Sequence, residues 1–131
     1  MPDPVVKLDL RRDEEFASLY ANNVQLESSV WDLKIMFGQL DQAKGPNVIN
    51  QHTAMTMSWP AAKIAAYYLL LHIVGHQSVN GPIQLPTGVI PPRPDSADAS
   101  LDEPGKKLVE YFAWIHDQFF GPNPFVPPSA G

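Results

Sequence analysis

From Tyr20 to Met57 apolar and polar residues alternate with the two-residue period of strands. In Tyr20–Glu27, Val24 and Leu26 share one face, while Asn23, Gln25 and Glu27 share the other. The clearest run follows a Ser28-Ser29 turn. Trp31, Leu33, Ile35 and Phe37 fall on one face and Asp32 and Lys34 on the other, and Gly38 ends or bulges the strand. Asp41–Asn47, with Lys44-Gly45-Pro46, reads as a loop. Val48–Met57 is the third strand, with Thr53, Met55 and Met57 opposite His52, Ala54 and Thr56. Three sequential strands joined by short turns predict an antiparallel meander. The charged segment before them carries a faint alternation in Val5, Val6, Leu8 and Leu10. It is open between a fourth, edge strand and disorder.

After Met57 the period changes. Ser58 suits a helix N-cap, and Pro60 sits in the first turn, where a missing amide costs nothing. The predicted helix runs from Trp59 to about Gln77, and Asn80-Gly81-Pro82 stops it. Its apolar residues point nearly all ways: Ile64, Tyr68, Leu71 and Gly75 on one side, Ala62, Ala66 and Ile73 on another, Leu70 and Val74 on a third. A helix on a sheet buries one stripe and wets the rest, so something must cover the remainder. A second helix is predicted from Asp102 or Glu103 to Phe120, with Asp102 as cap and Gly121-Pro122 as stop. Its stripe of Leu108, Phe112, Ile115 and Phe119 also needs a partner, in the same chain or a neighbour.

Proline marks the organisation. Six prolines lie between Asn80 and Pro104 and four more follow Gly121, and dense proline excludes helix and central strand. The expected map is a charged lead-in at 1–15, a β-β-β-α body at 16–79, an extended linker at 80–102, a helix at 103–120 and a tail at 121–131. The fold class is α+β: three or four antiparallel strands, a long helix packed on them, and a second helix beyond the linker.

Composition narrows the function. With 9 Lys+Arg against 14 Asp+Glu among 131 residues, the net charge of −5 argues against a nucleic-acid partner, which needs a basic patch. Zero cysteines remove disulfides, thiolate metal sites and cysteine nucleophiles. No apolar run reaches the length of a membrane span, and Met1-Pro2-Asp3-Pro4 lacks the features of a secretory signal, so a cytoplasmic protein is expected.

The runs Tyr20-Ala21-Asn22-Asn23, Asp32-Leu33-Lys34-Ile35-Met36-Phe37-Gly38, Met57-Ser58, Ala62-Lys63 and Gly81-Pro82-Ile83 resemble a family of small prokaryotic proteins catalogued as a domain of unknown function, number 3467. That pattern has a Tyr-Ala-Asn start, an aromatic-rich strand leading to Phe-Gly, a third strand ending at Ser-Pro, then a helix with Ala-Lys and a closing Gly-x-Ile. Here Trp59-Pro60 stands after Ser58, so proline falls one place later. The resemblance spans roughly 16–85 and implies the sheet-then-helix fold, with no activity, cofactor or catalytic residue attached.

Chemistry has few candidates. His72 and His76, one helical turn apart, could share a metal with His52 or His116. The intervening Ile73-Val74-Gly75 supplies no carboxylate, and polar spots at a helix end or interface explain the pair better. Asn22-Asn23 suits either a ligand or a strand start whose amides bond to backbone. Lys63 near the positive helix end invites an acidic partner such as Asp32. No phosphate loop, nucleophile elbow or kinase signature occurs.

The expected function is therefore a self-associating interaction module rather than an enzyme: a homodimer or higher homo-oligomer without a cofactor. It would be a scaffolding or chaperone-like binder of apolar segments, with room for a protein partner. A sheet followed by two helices is similar, in layout alone, to the SecB-type export chaperones. The expected interaction residues are Trp59, Tyr67, Leu70, Ile73, Val74, Phe112 and Phe119. The alternative is a small metal- or ligand-binding protein or enzyme using His72 and His76.

Overall fold

A computed structural model describes residues 6–86, 88–95, 97 and 100–122. The chain is α+β. Strands β1 (Asn23–Ser28), β2 (Asp32–Leu40) and β3 (Ile49–Ser58) precede helices α1 (Trp59–Asn80) and α2 (Glu103–Phe120). It divides into two compact units, Met1–Ala62 and Lys63–Gly131. Residues 1–5 of the lead-in and the tail beyond Pro122 lie outside the described residues.

In the first unit the strands form an antiparallel sheet in the order β1-β2-β3. Val24 stands opposite Phe37 and Leu26 opposite Ile35, and across the next ladder Leu33 faces Met57 and Ile35 faces Met55. The alternation therefore sorts the sheet into one apolar face and one face bearing Glu27, Asp32 and Lys34.

The turn between β1 and β2 lies one residue later than the sequence suggests. Ser29 Oγ accepts the amides of both Trp31 and Asp32 at 3.1 Å, and Ser29 N–H donates to Asp32 O at 2.9 Å. Trp31 consequently sits in the turn instead of opening β2. The Asp32 carboxylate accepts from Ser29 Oγ at 3.0 Å within this turn.

Gly38 is a bulge point. The register passes from Phe37–Thr53 to Gly38–Gln51, so His52 is the extra residue on β3. A Cβ at Gly38 would lie 2.7 Å from Asn50 O and 3.0 Å from Gln51 Cα, which explains the glycine. β1 starts at Asn23, later than Tyr20, because the preceding residues cross the end of the sheet. Asn22 N–H donates to Gly38 O at 3.0 Å, and Asn22 Oδ1 accepts from Leu40 N–H at 3.0 Å. The Tyr20 carbonyl accepts from His52 Nε2 at 2.9 Å.

β3 passes directly into α1. Ser58 Oγ accepts from Ala61 N–H at 3.3 Å, the cap expected at this position. Trp59 Nε1–H donates to Ser29 O at 3.0 Å, tying the helix start to the β1–β2 turn.

In the second unit α1 ends in a left-handed cap. Gly81 has φ +83°, and its N–H donates to Gln77 O at 2.9 Å. α2 begins at Asp102, whose Oδ1 accepts from Gly105 N–H at 2.7 Å, with Pro104 in the first turn. Between the helices the linker is attached to α2 through one side chain and one backbone carbonyl. Arg93 makes a two-bond ion pair with Asp117 at 2.9 and 3.2 Å, and His116 Nε2–H donates to Pro91 O at 2.7 Å. Pro82, Ile83, Leu85 and Ile90 line a cleft with Phe119 and Phe120. The helix face turned inward is thus Val109, Ala113, His116 and Phe120. Of the expected stripe Ile115 is half-buried beside this face, while Leu108, Phe112 and Phe119 are exposed.

Candidate interaction surface

The apolar side chains that the pattern assigns to a core are largely uncovered. Among the described residues, the buried hydrophobic side chains are Ala62 and Ala113, both small. On the sheet's apolar face Val24, Leu26 and Met55 are each more than half exposed, at 53%, 57% and 53%. Leu33, Ile35, Phe37 and Met57 are half-buried. No charged residue of the three strands lies on this face. Fully burying a side chain of this size contributes about 1.5–3 kcal/mol. Covering the three exposed ones would add roughly 1 kcal/mol each.

α1 is a 22-residue helix whose formally charged residue is Lys63. One flank, containing Ala62, Leu70, Ile73, Val74 and Gln77, is half-buried or buried. The opposite flank, Ile64, Tyr68 and Leu71, is exposed. α2 adds Tyr111 and Trp114, exposed with ring centroids 5.6 Å apart.

The interaction residues expected from the sequence fall in four places. Leu70, Ile73 and Val74 lie on the half-buried flank of α1. Tyr67 is exposed beside Tyr68, with ring centroids 5.5 Å apart. Phe112 is exposed on α2, Phe119 lines the cleft with the linker, and Trp59 is held at the β3–α1 corner by its bond to Ser29. The sheet face is absent from that set, because its soft side chains read from the sequence as core packing. Met55, Met57 and Phe37 show there as soft side chains, but a period-2 pattern looks the same whether its apolar face is covered or open.

His72 and His76 are both exposed. Asn80 Nδ2 donates to His76 O at 3.1 Å and lies 3.3 Å from His76 Nδ1. His52 lies on the bulge, with Nδ1 2.7 Å from Thr53 Oγ1, and His116 faces Pro91. Among the described residues no three His, Asp or Glu side chains converge as a metal-binding group. Asn22 bonds to backbone, as a strand-start residue does. The hydrogen bonds from Arg93 hold the Asp117 carboxyl below the usual carboxylate range and raise the guanidinium in return. Among the described residues no helix is long and apolar enough to cross a membrane. No family model, curated protein or solved structure matches the chain.

Proposed function

We propose that this protein is a non-enzymatic, self-associating interaction module, a homodimer or higher homo-oligomer. In this reading it acts as a scaffolding or chaperone-like binder of apolar segments. The observation that supports the reading is the uncharged, open sheet face around Val24, Leu26, Ile35 and Met55. A domain of this size depends on burying large side chains for its few kcal/mol of net stability. On this reading such burial comes from association. In the second unit the exposed flank of α1 and the Tyr111–Trp114 pair are further apolar surface. The resemblance to the family of unknown function and the cytoplasmic placement belong to the same proposal.

Sedimentation at micromolar concentrations tests it. A dimer or larger species is expected. Met55→Asp, on the apolar face, shifts it toward monomer, and Thr56→Asp, on the opposite face, leaves it unchanged. A stable, cooperatively folded wild-type monomer refutes self-association. Failure to slow the aggregation of an unfolded reporter protein refutes the chaperone-like part alone.

A further inference from the structure

Residues 6–11 form an extended arm. Arg11 Nε and Nη2 donate to Asp9 Oδ2 at 3.2 and 2.9 Å, so side chains two apart share a side, as in a strand. Val6, Leu8 and Leu10 alternate with Lys7, Asp9 and Arg11, yet the arm pairs with no described strand and its apolar residues are exposed.

The sheet offers an edge of matching character. β1 is an outer strand without proline or bulge, and its Val24 and Leu26 are exposed. Such an edge is a template for another strand. The opposite edge, β3, is interrupted by the bulge at His52. Tyr20 is bonded to His52 on β3, and Asn22 to the end of β2, so the chain enters β1 from the β3 side of the sheet.

We propose that the 6–11 arm of one copy adds to the β1 edge of a second copy as a fourth, antiparallel strand. The proposed register opposes unlike charges and keeps the leucines on the apolar face. It sets Leu8 opposite Leu26 and Leu10 opposite Val24 on the apolar face. It sets Lys7 opposite Glu27 and Asp9 opposite Gln25 on the polar face. Neither Lys7 nor Glu27 has an ion-pair partner among the described residues. A shift of one residue would turn Leu8 and Leu10 onto the charged face. A shift of two in one direction would bring Asp9 against Glu27, and like charges directly opposite are destabilising. The sheet is already antiparallel, and parallel pairing is less stable per residue.

The inference rests on the self-association proposed above, and the absence of native cysteine makes it directly testable. Full-length Lys7→Cys and Glu27→Cys chains are mixed and oxidised. The mixed disulfide dimer is expected in large excess over either homologous dimer, and over the product of Arg11→Cys with Glu27→Cys, the pair a parallel strand would form. Charge reversal supplies an independent readout: Lys7→Glu weakens assembly about 1.5- to 5-fold per pair, and adding Glu27→Lys restores it. An oligomeric wild type without the mixed crosslink, or with Arg11–Glu27 preferred, overturns the arm exchange and leaves self-association standing. A monomeric wild type removes both.

Discussion

Replacing Gly38 by alanine tests the central ladder of the sheet. Its φ lies outside the left-handed region, so the new residue meets no backbone penalty of its own. Alanine in place of glycine would by itself stabilise by about 0.4–1 kcal/mol, because the unfolded chain loses freedom. Against that stands the position of the added carbon, 2.7 Å from Asn50 O, 3.0 Å from Gln51 Cα and 3.0 Å from Ile49 Cγ2. Two of these neighbours are backbone atoms of β3 and cannot rotate away. Either β2 and β3 separate or the bulge at His52 is rebuilt, and overpacking of this kind costs roughly 1–3 kcal/mol. The steric cost wins, leaving a net loss of about 0.5–2 kcal/mol. Circular dichroism at a fixed protein concentration should show a Tm lowered by roughly 2–8 °C. Gly38→Val should be worse. Strand propensity alone ranks valine above glycine, so a valine variant as stable as the wild type would refute the reasoning.

Three further outcomes follow from the same geometry. Asp102→Ala removes the acceptor for Gly105 N–H and should cost about 1 kcal/mol, read as fraying of α2 by amide exchange, with unchanged exchange rates counting against the cap. Asp117 should titrate below an ordinary aspartate by carboxyl NMR. Its depressed folded pKa makes its contribution to stability present above the unfolded value and lost as pH falls through the folded one. Arg93→Gln should return the midpoint to the ordinary range, and a midpoint indifferent to that change would show that the ion pair does not form. Trp59→Phe keeps most of the ring but loses the bond to Ser29 O, for about 0.5–1.5 kcal/mol by urea unfolding. Trp31→Phe, in the open turn, should stay within about 0.5 kcal/mol of wild type.

Much of the local structure is legible from residue order because its causes are local. Period-2 runs place β1, β2 and β3 within a few residues, Ser58 and Asp102 cap the helices they precede, and Gly81 ends α1 with a positive φ. The places where the sequence reading errs are those where a second segment decides. Trp31 continues the alternation of β2, yet the Ser29 hydroxyl draws its amide into the turn. The extra residue at His52 leaves no trace in the pattern of β3, since a bulge exists only relative to the partner strand.

The most important difference is which apolar faces are covered. Along α2 the stripe of Leu108, Phe112, Ile115 and Phe119 is the more apolar, but Val109, Ala113, His116 and Phe120 turn inward. Pro91 and Arg93 bond to the polar side chains of His116 and Asp117, on and beside that face. Hydrophobic periodicity orders side chains around an axis and is silent about what lies opposite them. The sequence by itself therefore determined the elements, their caps and the α+β class. Only the tertiary structure decided how far Val24, Leu26 and Met55 are exposed, because covering a surface is a property of two segments and alternation is a property of one.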